Sequence, residues 1–173
     1  MLTALIDYES GNLHSALKAF EKISGENSLG SVTITNDPEI IINADRLVLP
    51  GDGAFPACKA ALEKSEVFEA LKHAVLAKRR PFLGICVGMQ LMAKKGFEFE
   101  PTNGLNWING QVERIQLDDP SLKIPHMGWN EIAIDYDHAI LKDIKNGDHF
   151  YFVHSYQMRV FLSLIHISEP TRP

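Results

Sequence analysis

Apolar residues in the first half of the chain form short dense runs that alternate with longer stretches at helical spacing. Leu2–Ile6 reads as a buried strand, and Asn12 stands as N-cap to a helix whose apolar face carries Leu13, Ala16, Leu17 and Phe20. Ser31–Thr35 is β-branched and strand-like, and Asp37-Pro38 marks a turn or a helix start. A strand is predicted over 46–49, ending at Pro50-Gly51-Asp52-Gly53, then a helix over 57–78, a strand over 81–85 and a helix over 87–95. Strands alternating with helices predict an α/β fold with a parallel sheet covered on both faces. The second half changes character: 107–115, 130–134 and 149–153 read as strands of a smaller, more antiparallel region. With no internal repeat and no low-complexity linker, one domain is expected.

Composition excludes several classes. The chain has 173 residues, 45% hydrophobic and 23% charged, which suffices for a packed core. A formal net charge of -5 gives no electropositive footprint for nucleic acid. No apolar run is long enough to cross a bilayer, and the opening segment is short and lacks a basic leader, so the expected compartment is the cytoplasm. The two cysteines, Cys58 and Cys86, are far apart without metal-ligand spacing. No metal and no cofactor are expected, and each thiol is a buried small side chain or a nucleophile.

Local sequence separates them. In Pro81-Phe82-Leu83-Gly84-Ile85-Cys86-Val87-Gly88-Met89-Gln90 a strand runs into a helix with a thiol at the junction and glycine two residues to either side. This is the nucleophile-elbow arrangement with cysteine in place of serine. Gly84 and Gly88 would give the clearance a tight turn requires. The positive end of the following helix would favour thiolate, and the Val87 amide would be free to donate to an oxyanion. The competing reading of Cys86 is a buried residue at a strand end. Cys58 lies in a helical run of small residues and reads as structural. The loop Pro50-Gly51-Asp52-Gly53-Ala54-Phe55 also follows a strand, so a parallel sheet would bring it to the same edge as Cys86. On its own it reads as a tight turn, and it matches neither a dinucleotide fingerprint nor a phosphate-binding loop.

Taken together these segments resemble the class I glutamine amidotransferases. Gly84-Ile85-Cys86-Val87-Gly88-Met89-Gln90 is similar to their nucleophile motif, and Pro50-Gly51-Asp52-Gly53-Ala54-Phe55 to their oxyanion loop. Within them, Lys123-Ile124-Pro125-His126-Met127-Gly128-Trp129-Asn130 resembles the signature of the glutaminase subunits of imidazole glycerol phosphate synthase. The segment 8–13 and Tyr151-Phe152-Val153-His154-Ser155-Tyr156 match the same group. The resemblance implies a flavodoxin-like three-layer fold with a mostly parallel central sheet. It also implies hydrolysis of glutamine to glutamate and ammonia through a Cys86 thioester. Ammonia would pass to a cyclase subunit, a β/α barrel, to make imidazole glycerol phosphate in histidine biosynthesis. It assigns Val87, with Asp52 and Gly53, to the oxyanion hole, and Gln90, Ser155 and Tyr156 to glutamine. Asn12 and Pro125, His126, Met127, Gly128, Trp129 and Asn130 would face the cyclase; the competing reading of the latter stretch is a core turn around a packed Trp129. Neither His126 nor His154 supplies the base in this family. An acid at Asp52, where the family has an apolar residue, is expected to point outward.

The likeness runs from about residue 5 to residue 156. The family's base and its orienting acid come from a His-Pro-Glu motif that this sequence does not contain. The amidotransferase domain is therefore expected over 1–161, incomplete at its C-terminus, with 162–173 a non-native tail. Glutaminase turnover is expected to be lost and stability reduced. The alternatives are another class I glutaminase, or a non-catalytic regulatory partner of the cyclase.

Overall fold

The computed structural model describes residues 1–117, 119, 122–135 and 138–161. The first half holds β1 (Leu2–Ile6), α1 (Leu13–Asn27), β2 (Ser31–Thr35), α2 (Pro38–Asn43), β3 (Arg46–Gly51), α3 (Phe55–Lys64), α4 (Val67–Lys72), β4 (Phe82–Cys86) and α5 (Val87–Gln90), with every predicted strand in place. Caps fix the helix starts. Asn12 accepts from the Ser15 amide at 3.2 Å, and Asp37 accepts from the Glu39 amide at 2.8 Å with Pro38 opening α2.

β1 to β4 form a parallel sheet in the order β2-β1-β3-β4. Its inner strands carry Leu5, Ile6, Leu47 and Leu49, all essentially inaccessible. The order reverses at β1, because the chain steps outward to β2 and then back across to β3. With right-handed crossovers, α1 covers one face and α2 the other, and α2 packs against α4. The crevice above the C-terminal ends of β1 and β3 is therefore the topological switch point, where open α/β sheets place their ligands.

Two predicted helices differ. The helix expected over 57–78 is broken at Ser65, which adopts extended backbone while its hydroxyl donates to the Leu62 carbonyl at 2.6 Å; after α4 it continues as a π-turn, His73–Ala77. The helix expected over 87–95 stops after one turn, and Ala93–Gly96 is a strand, β5. The carbonyls a continuing helix would use are taken by the segment 104–108. Leu105 donates to Leu91, Trp107 and Ile108 to Met92, Asn106 to Ala93 and Gly104 to Lys94, all within 2.7–3.1 Å. Tertiary pairing thus overrides a helical pattern.

β5 lies in a second sheet with β6 (Thr102–Asn103), β7 (Ile108–Arg114) and β10 (Tyr156–Val160), in the order β10-β7-β5-β6. β5 and β7 are parallel, β5 and β6 antiparallel. β8 (His126–Glu131) and β9 (His149–His154) form an antiparallel pair, which shifts the strand expected over 130–134 towards the N-terminus. The described chain divides into two compact units, one of 1–113 with the residues from Met158 onward, the other Arg114–Gln157. The expected tail, 162–173, lies outside the described residues. No helix among the described residues is long and apolar enough to cross a membrane.

Candidate active site

Strand register brings the two loops singled out in the sequence together. Gly51, the last residue of β3, pairs with Cys86, the last residue of β4. α5 starts at the next residue, so strand turns into helix at the thiol itself. Cys86 adopts φ 54°, ψ −118°, a combination that a side-chain-bearing residue holds only when its surroundings impose it.

The flanking glycines impose it. A Cβ on Gly88 would stand 1.8 Å from the Leu49 carbonyl oxygen, and one on Gly84 would stand 2.5 Å from the Met89 Cα. Only hydrogen fits at either position, so the helix start lies directly against β3 and β4. Cys86 is exposed, whereas Cys58 is buried. The Val87 amide opens α5 and has no acceptor within the helix, which leaves it available to a negative oxygen beside Cys86. A single turn aligns few peptide dipoles, so the field expected from a longer helix reduces to these local amides. Gln90 is buried in the same turn.

The loop after β3 is held from below by residues that the sequence reading left without a role. The Tyr8 hydroxyl donates to the Pro50 carbonyl at 2.8 Å. Ser10 Oγ donates to the Asp52 carbonyl at 3.0 Å and accepts from the Asp52 amide at 3.2 Å. The Cys58 thiol lies 3.2 Å from Ser10 Oγ and donates to the Asp52 carbonyl at 3.3 Å. Cys58 is structural, as its helical context implied, but its position is under this loop. Burial pushes the Tyr8 phenol well above its usual range; the hydrogen bond with Ser10 opposes that rise and the Cys58 and Cys86 thiols add to it. Gly11, at φ 95°, lets the loop after β1 close on this one: a Cβ there would stand 2.8 Å from the Pro50 Cβ. Asp52 is exposed, and Gly53 has φ 108° with open space beside it. The signal for Tyr8 and Ser10 was their position just before Gly11-Asn12, inside a segment matched as a whole.

Asn12 is exposed and caps α1. In the second unit, the Ser155 carbonyl accepts from the Ile115 amide at 2.9 Å, and the Tyr156 carbonyl lies 3.0 Å from His154 Nδ1. Pro125 precedes β8, and His126, Met127, Gly128, Trp129 and Asn130 lie on it. Met127 pairs with Val153 and Trp129 with Tyr151, and these four side chains are 53–68% exposed on one face of the hairpin. Trp129 meets Tyr151 edge-on at 5.6 Å. A core turn around a packed Trp129 is therefore not what this stretch forms. Among the described residues no group of three or more His, Cys, Asp or Glu is arranged to hold a metal ion.

A family model described as glutamine amidotransferase class-I matches residues 4–168. The chain belongs to the class I glutamine amidotransferase family. It is 55% identical over 161 residues to the imidazole glycerol phosphate synthase subunit HisH of Cereibacter sphaeroides, and 57% identical over 161 residues to that of Ruegeria pomeroyi. Each match covers 92% of this chain and 76% of the relative. Among solved structures, a glutamine amidotransferase from Thermotoga maritima superposes with a TM-score of 0.52 at 17% identity, over 92% of this chain and 63% of that one, a likeness of fold. The α/β fold with a mostly parallel central sheet is that of this family.

Proposed function

We propose that this chain is a glutaminase subunit of imidazole glycerol phosphate synthase, in which Cys86 attacks the carboxamide of glutamine. The observation that carries the reading is the exposed thiol at φ 54°, in register with Gly51 at the switch-point edge of the sheet. Sulfur adds to the carboxamide carbon and the carbonyl electrons move onto oxygen. The Val87 amide, with a second donor from the Asp52-Gly53 loop, stabilises that oxyanion. Collapse expels ammonia and leaves a γ-glutamyl thioester, and water releases glutamate and regenerates the thiol. Gln90, Ser155 and Tyr156 are assigned to holding glutamine. Asn12 and the 125–130 stretch are assigned to the cyclase, which receives the ammonia, in the cytoplasm. The exposed Met127–Trp129–Tyr151–Val153 face supports that assignment, since apolar patches of this kind mark docking surfaces. The domain is assigned to 1–161.

The proton transfers need a base, which the resemblance places in a His-Pro-Glu motif, and the 173 residues contain no such tripeptide. The exposed Met127–Trp129–Tyr151–Val153 face also supports a second reading, a regulatory partner of the cyclase that binds and does not catalyse. A glutamine-like chloroketone separates the two. Intact-mass analysis is expected to show one adduct on the wild-type chain and none on Cys86→Ser, with buried Cys58 unmodified. A wild-type chain left unlabelled would remove the nucleophile role and leave the binding role.

A further inference from the structure

The face of the β8–β9 pair opposite Trp129 carries a chain of hydrogen bonds whose direction can be read from one end. His154 Nδ1 lies 3.0 Å from the Tyr156 carbonyl oxygen, which only accepts, so Nδ1 bears the hydrogen. A neutral imidazole has one N–H, so His154 Nε2 accepts. The group 3.1 Å from it, His126 Nδ1, must then donate. His126 Nε2 is left as an acceptor, and the amide nitrogen of Asn130 bonds to it. Each link is fixed by the one before. His126 and His154 are direct cross-strand partners, Asn130 lies four residues along the same face, and the His126 ring stacks on Phe152 at a centroid distance of 4.9 Å.

We propose that His126 and His154 are positioning residues that transmit the orientation of the Asn130 amide to the Ser155–Tyr156 kink. The roles of the two ends, partner-facing strand and glutamine-holding dipeptide, rest on the proposed function; the chain between them rests on geometry. If the Asn130 amide turns over, its oxygen faces His126 Nε2, which must then carry the hydrogen. His126 Nδ1 becomes an acceptor opposite His154 Nε2. His154 then moves its own hydrogen to Nε2, and Nδ1 loses its bond to the Tyr156 carbonyl. A contact that reorients Asn130 is thereby felt at Tyr156 without any movement of the strands. Stacking on Phe152 confines the response to proton position, because the His126 ring is not free to swing away.

The experiment uses the 173-residue chain labelled with 15N. Long-range 1H–15N correlation is expected to show both rings as the Nδ1–H tautomer. His126→Phe keeps the stack on Phe152 but supplies no Nδ1–H. It is expected to release His154 from the single tautomer and to raise at least fivefold the concentration of glutamine-like chloroketone that half-saturates Cys86 labelling. The maximal labelling rate, and labelling by iodoacetamide, should stay unchanged. His126→Asn places an amide nitrogen near the former Nδ1 and is expected to restore both readouts to within twofold. An Nε2–H tautomer at His154 in the wild type overturns the proposal. So does a wild type that labels well beside a His126→Phe that labels identically. A wild type that the chloroketone does not label overturns the glutaminase reading, and the coupling with it.

Discussion

Gly88→Ala tests whether the elbow is held by a backbone approach that only hydrogen allows. A Cβ at Gly88 would stand 1.8 Å from the Leu49 carbonyl oxygen, 2.8 Å from the Leu49 carbonyl carbon and 3.2 Å from that of Pro50. All three atoms are main chain of β3, a strand whose Leu49 is fully buried, so no rotamer change relieves the clash. Overpacking that side chains absorb costs about 1–3 kcal/mol. Here α5 must move off β3, and the expected loss is about 3 kcal/mol, at the top of that range. For a chain of this size, that lowers the melting temperature by about 6–12 °C. Gly84→Ala, facing the Met89 Cα at 2.5 Å, is expected to behave alike. Gly25→Ala is the control: it lies within α1 with nothing inside 4 Å, and is expected to stabilise by about 0.4–1 kcal/mol. Urea titration followed by circular dichroism measures all three. A Gly88→Ala protein within 1 kcal/mol of the Gly25→Ala protein would refute the close approach, and the account of Cys86 geometry built on it.

The raised Tyr8 phenol gives a pH signature. Below about pH 10 the phenol is protonated in both states and its contribution is fully present. Above that, the unfolded chain loses the proton first, so stability falls with a slope of up to about 1.4 kcal/mol per pH unit. Tyr8→Phe is expected to remove that part of the alkaline slope in urea titrations; an unchanged slope would show that Tyr8 is not its source. Trp129→Ala removes the largest exposed ring of the hairpin face and is expected to weaken cyclase binding by about 30-fold in calorimetry, as for an anchoring aromatic. Unchanged affinity would put the cyclase elsewhere.

Sequence legibility tracked how local the deciding forces were. β1 and β3 were readable because a buried parallel strand announces itself as a dense apolar run, β2 through its β-branched residues, and Asn12 because an N-cap acts within three residues. The elbow was readable because its two glycines answer a steric demand that leaves no alternative side chain. The end of α5 was not, because the carbonyls of 91–94 that follow it are taken by donors that arrive from 104–108. Tyr8 and Ser10 were hidden for the same reason. Their partners, Pro50 and Asp52, lie 42 residues away, and nothing near either residue signals a hydrogen bond across the switch point.

That clasp bears on which amide serves the oxyanion. Asp52 and Gly53 were both assigned to it, but the Asp52 N–H already donates to Ser10 Oγ, and one N–H cannot also serve an oxygen beside Cys86. Either the 51–52 peptide turns when Ser10 lets go, or Gly53 donates. Glycine at 51 eases rotation of that peptide on one side. Ser10→Ala removes both Ser10 bonds to Asp52 and leaves the Cys58 thiol bonded to its carbonyl. Loss of one such bond is worth about 1 kcal/mol, so amide exchange at Asp52 is expected to quicken by about fivefold. If Asp52 is the donor, chloroketone labelling of Cys86 rises with it while iodoacetamide labelling does not, because only the former passes through an oxyanion. Faster exchange with unchanged chloroketone labelling would remove Asp52 from the oxyanion hole and leave the second donor to Gly53.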